Sequence, residues 1–137
     1  MRYADTAISR ALRKALSAGP VAGLRSFLAM WRGIVVDSDF GAGCPVLAVA
    51  IEEPPAGETP EALVAAAEAF GRWEDLLADS LREHGADPAQ ARALAALVVA
   101  ASEGAIAVCR AKRSIQPLDH VAQQLEALIA GALDRPA

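Results

Sequence analysis

The sequence predicts an all-α fold, a single domain of five to six helices, and three observations predict it. Ala supplies about a quarter of the 137 residues and is the strongest helix former, because it loses no side-chain entropy on ordering. Apolar residues recur at spacings of three and four, which places them on one side of a helix. Val and Ile are scattered among Ala and Leu, not gathered into the short β-branched runs that strands require.

Taken in order, the first helix runs from about Asp5 to Ser17 and stops at Ala18-Gly19-Pro20. The second begins there, with Val21, Leu24, Phe27, Leu28, Trp31, Ile34 and Val35 as its apolar face, and ends near Asp37. Residues 39–43 form a connecting loop. Pro45 opens a short third helix, since its missing N–H costs nothing at the first helical position; the helix reaches about Glu52 and is broken by Pro54-Pro55-Ala56-Gly57. Thr59 caps a fourth helix whose stripe is Leu63, Ala66, Ala67, Phe70, Trp73, Leu77 and Leu81, closed by Gly85. Asp87-Pro88 caps a fifth that continues to about Lys112, roughly 37 Å at 1.5 Å per residue. Pro117 starts the sixth, with Leu118, Val121, Ala122, Leu125, Leu128, Ile129 and Ala132 on one face. The last three residues or so are expected to be disordered.

Bulk properties narrow the function classes. A 14.2 kDa chain folds to a surface of about 6,800 Å², enough for a core without disulfides or metals. Net charge is −4, with Lys14 and Lys112 the only lysines, so the chain carries no basic stripe of the kind that displaces counterions from phosphates. Arg110, Lys112 and Arg113 sit where a long helix should end, and are expected to compensate its dipole in preference to contacting phosphate. Two cysteines, Cys44 and Cys109, are too few for a disulfide framework. No secretory leader opens the sequence, and Ser102 and Glu103 interrupt the apolar run 94–109. The expectation is a soluble cytoplasmic protein that does not enter a membrane.

No catalytic constellation is present. Glu-x-x-His pairs are missing, because Leu81 and Pro117 precede His84 and His120 by three. No HExxH, CxxC or phosphate-binding glycine loop occurs. Neither an enzyme, a cofactor nor a metal is expected. Glu103 is the odd residue, a carboxylate on an apolar helix. Two readings stand: an ion pair with an Arg such as Arg72 or Arg110, or a polar anchor for a ligand.

The fifth helix is the most informative segment. Ala89, Ala93, Ala96, Ala100, Gly104, Ala107 and Ala111 form a seam of small residues, which lets another backbone approach closely. Leu94, Leu97, Val98, Ala101, Ala105 and Val108 lie opposite, so the helix must be covered on both sides. It is either wrapped within one subunit or shared with a two-fold interface. Phe27, Trp31, Phe70 and Trp73, most of the large rings, fall on inner stripes of two helices. They are either core fillers or the lining of a pocket.

Phe40-Gly41-Ala42-Gly43-Cys44-Pro45-Val46, Phe70-Gly71-Arg72-Trp73 with Leu76-Leu77, Ala100-Ala101-Ser102-Glu103-Gly104-Ala105 and Pro117-Leu118-Asp119-His120-Val121-Ala122 together resemble the C-terminal domain of the LmrA-like branch of TetR transcriptional regulators. The resemblance covers roughly residues 18–133. It implies an antiparallel bundle with an effector pocket and a four-helix dimer interface. The pocket would be lined by Phe27, Met30, Trp31, Ile34, Phe70, Trp73, Leu77, Val98, Ser102 and Ile106. The interface would use Ala93, Ala96, Ala100, Gly104, Ala107 and Ala111 with Leu118, Val121, Leu125, Leu128 and Ile129. It further implies a homodimeric repressor released by a small apolar or amphipathic effector. Operator DNA would be reached only through an N-terminal helix-turn-helix absent from this sequence, residues 1–18 being the remnant of the helix that joins the halves. The competing reading is a stand-alone helical dimer that scaffolds a partner without a small ligand.

Overall fold

A computed structural model describes residues 2–53, 55–57 and 61–133. Among them six helices and no strand are found: α1 (Arg2–Leu16), α2 (Pro20–Asp37), α3 (Pro45–Ile51), α4 (Glu61–Glu83), α5 (Pro88–Lys112) and α6 (Gln116–Leu133). Three-residue turns join α1 to α2 and α5 to α6, and four residues join α4 to α5. Connections this short turn successive helices back on each other. α5 is the central element, packed on α4 and α6, while α2 bridges α1 and α6 and α1 lies against α4.

The punctuation works as its chemistry requires. Gly19 takes φ 101° and Pro20 opens α2 directly behind it. One turn on, a Cβ at Gly23 would sit 2.8 Å from the Leu16 Cα, so only glycine lets α1 and α2 approach this closely. Asp87 accepts the Gln90 N–H at 3.2 Å to cap α5, and Arg113 in the left-handed region (φ 52°) ends it. Between α2 and α3, Asp39 and Phe40 both take positive φ. That strained turn is held from outside: Arg110 donates to the carbonyls of Phe40 and Gly41, and Arg113 binds the Asp39 carboxylate and stacks on Phe40.

Two expectations change. α1 starts at Arg2, about a turn earlier than Asp5, and Asp5 lies buried inside the helix interface. On α4, Ala67 faces outward, while Ala69 and Ala78 join Ala66, Trp73, Leu77 and Leu81 in the core. The expected Thr59 cap and most of the C-terminal tail lie outside the described residues. α5 is long and apolar enough to cross a membrane by length and composition, but half of that window is buried against its neighbours. It is the core helix of a bundle.

Candidate functional site

α2 and α4 bring their aromatic residues together in the middle of the bundle. Phe27 meets Trp31 edge-to-face at 5.8 Å between centroids, Phe70 meets Trp73 at 5.4 Å, and the two indoles lie 6.3 Å apart. Trp31 and Trp73 are completely buried. Edge-to-face contact matches the positive ring edge to the negative face, so the rings fill one another's surroundings. Of the other residues expected to line a pocket, Leu77, Val98, Ser102 and Ile106 are buried in the same core, and Met30, Ile34 and Phe70 are half-buried. The Ser102 hydroxyl donates to the Val98 carbonyl of its own helix at 2.6 Å and so is not held out toward a ligand. Two cavities open elsewhere, one between α2 and α6 and one between α1 and α4.

A charged residue ties this aromatic core to α1. Asp5 is buried, accepts the Trp73 indole N–H at 3.2 Å and the Ser9 hydroxyl at 3.2 Å, and pairs with Arg72. A buried carboxylate needs this saturation. Sequence reasoning missed Asp5, whose partners on α4 lie 67 and 68 residues away; its one local signal is Ser9, a turn further along α1.

Glu103 is the second anomaly. Only 6% of it is exposed, yet no arginine among the described residues pairs with it. The ion pair with Arg72 or Arg110 is corrected here, because Arg72 is taken by Asp5 and Arg110 by the carbonyls of the strained turn. Its neighbour is the Cys44 thiol, and its Oε2 has no partner. Burial raises the carboxyl to about 7, an effect the Cys44 hydrogen bond partly opposes. The thiol in turn is pushed up to about 12 by burial and by the adjacent carboxyl, so it stays protonated and donates. The Trp31 indole N–H is also buried without a partner among the described residues. Unsatisfied polar atoms in a native core call for an occupant or a role.

From Ala93 to Val108 every exposed residue of α5 is apolar, with Arg92, Arg110 and Lys112 exposed at the two ends. Every residue of the small seam, Ala89 through Ala111, is exposed, and Leu97 (43%) and Val108 (42%) stand beside it. A Cβ at Gly104 would meet nothing within 4 Å. On α6 the expected interface residues divide. Leu118, Leu125 and Ile129 are buried in this chain's own core, whereas Leu128 is 48% exposed and Val121 half-buried. The division follows from the 3.6-residue period: 118, 125 and 129 share one face, and 121 and 128 lie near its edge.

A family model described as the C-terminal domain of LmrA/YxaF-like transcriptional regulators, of the TetR type, matches residues 20–124. That span takes in all of α2 to α5 and the first half of α6. The chain belongs to this family. Two curated relatives, both named uncharacterized HTH-type transcriptional regulators, come from Mycobacterium tuberculosis strains H37Rv (Rv0196) and CDC 1551 (MT0206). Each is 35% identical over 113 residues, covering 80% of this chain and 58% of the relative. The chain thus spans a little over half the length of the regulators it matches. Within this TetR-type domain, the core aromatic group, the Glu103–Cys44 pair and the outward face of α5 all fall on the matched residues. Asp5, on α1, precedes them.

Proposed function

We propose that this domain is the effector-binding and dimerisation part of a cytoplasmic TetR-type repressor. In this reading a small apolar or amphipathic compound enters the aromatic core between α2, α4 and α5 and releases the repressor from its operator. Operator contact belongs to an HTH portion outside this chain, as the relatives' names suggest for those proteins. Two copies pair through the outward faces of α5 and α6, using Ala93, Ala96, Ala100, Gly104, Ala107 and Ala111 with Val121 and Leu128.

The uncovered apolar face of α5 carries the reading. Its exposed residues from Ala93 to Val108 are all apolar, and Leu97 and Val108 among them are large side chains more than two-fifths exposed, as a surface that a partner covers would be. Two unsatisfied polar groups, the Glu103 carboxyl and the Trp31 indole, support a ligand-receptive interior. Direct ring-to-ring packing instead supports the scaffold reading, since a ligand must part the rings to enter.

A panel of planar and cationic lipophilic compounds separates the two. A ligand present at about a hundred times its dissociation constant adds roughly 2.7 kcal/mol to stability. Thermal unfolding should rise accordingly and tryptophan fluorescence should change, both effects being lost in Trp73→Ala and kept in Arg92→Ala. No shift with any compound, while the chain still sediments as a dimer, establishes the scaffold reading instead.

A further inference from the structure

The α1–α4 interface is built differently at its two ends. At one end, Asp5 locks α1 to Arg72 and Trp73 with every polar atom used. At the other, the helices leave between them a cleft of about 270 Å³ that is open to solvent. Its apolar floor is Leu16 and Leu76, and Arg13, Asp79 and Glu83 stand around it. Asp79 is paired with Arg82. Arg13 and Glu83 line the same space from opposite helices without pairing with each other or with any other described residue. Ser80 also lines the cavity; it is 7% exposed and its hydroxyl has no partner.

We propose that this cavity is a binding site for a small zwitterion of the free amino-acid class. Arg13 is placed to take a carboxylate. Glu83 offers the counter-charge for an ammonium, and Leu16 with Leu76 offers a surface for an aliphatic side chain. At about 270 Å³ the space is large enough for a branched aliphatic amino acid. Opposite charges facing one space without meeting select a ligand that carries both. A molecule with one charge engages only one of the two groups, and a purely apolar one engages neither. The occupant would bridge α1 to α4 at the end where they are otherwise untied. The site is separate from the aromatic core and stands whether or not that core takes an effector.

The test is an amide NMR titration of the intact chain with L-leucine to 10 mM, on the order of the weak end of small-ligand affinity. Saturable shifts are expected at Ser17, Ser80 and Glu83. N-acetyl-L-leucine, which lacks the ammonium, and L-leucinamide, which lacks the carboxylate, should each bind at least about tenfold more weakly. Arg13→Gln, an exposed position that leaves the core intact, should weaken L-leucine about tenfold while the amide spectrum elsewhere is unchanged. Absence of saturable shifts at these residues overturns the proposal. So does equal binding of leucine and its two singly charged derivatives, or undiminished binding by Arg13→Gln.

Discussion

Glu103→Gln isolates a carboxyl that, alone among the buried carboxyls of the described residues, has no cation beside it. Burial raises this group from 4.5 to about 7, so the folded state holds a proton that the unfolded state has already released across that window. Between those two values the folded state binds more protons, and stability therefore falls as pH rises through the interval. Below about 4.5 both states are protonated and the group costs nothing. Above about 7 the full shift applies, about 3 kcal/mol at 1.36 kcal/mol per unit. Glutamine keeps the shape and removes the charge; its amide oxygen still accepts from the Cys44 thiol, while its NH2 donors stand where Oε2 has no partner, a cost of about 1 kcal/mol. Urea unfolding at pH 5 and pH 8, at one fixed protomer concentration, reads the difference. Near pH 5 the variant should be equal to wild type or weaker by up to about 1 kcal/mol; at pH 8 it should be more stable by about 2 kcal/mol. Parallel pH profiles for the two proteins, or a variant equally destabilised at both values, would refute the assignment of Glu103 as a buried acid without a counter-charge.

Two further substitutions probe how α1 is held. Asp5→Ala strands the Trp73 indole N–H and frees Arg72, so urea unfolding should show a loss of about 2–3 kcal/mol; a loss under about 0.5 kcal/mol would mean that the anchor is not formed in solution. Gly23→Ala drives a methyl to within 2.8 Å of the Leu16 backbone. Overpacking costs about 1–3 kcal/mol and outweighs the gain of about 1 kcal/mol in helix propensity, so the midpoint should fall, whereas a rise would contradict the close α1–α2 approach.

Much of the fold was legible because its boundaries are written in residues with a single local use. Gly19-Pro20, Asp87-Pro88 and Pro117 each act within one turn of chain, and the helices start within a residue of where those signals put them. Residues that act across the bundle were not legible. Asp5 reads as a surface acid until α4 brings Trp73 to it, and Cys44 reads as an ordinary thiol until α3 sets it against Glu103. Arg72 and Arg110, the partners that charge alone suggested for Glu103, are each held by nearer acceptors. Periodicity identified α6 as amphipathic but could not say that Leu118 and Leu125 face inward while Leu128 faces out, because both sets are apolar and only the packing tells core from interface.

The account rests most directly on the outward face of α5, and sedimentation of wild type and Gly104→Leu tests it. Gly104 has open space beside it within the chain, so leucine there leaves the protomer folded and adds helix propensity, up to about 1 kcal/mol. The same side chain must separate two α5 helices that meet at this seam. Wild type at micromolar concentration should sediment at twice the 14.2 kDa chain mass, and Gly104→Leu should sediment at the single-chain mass with its helical signal intact. A monomeric wild type, or a Gly104→Leu variant that remains a dimer, would contradict the account.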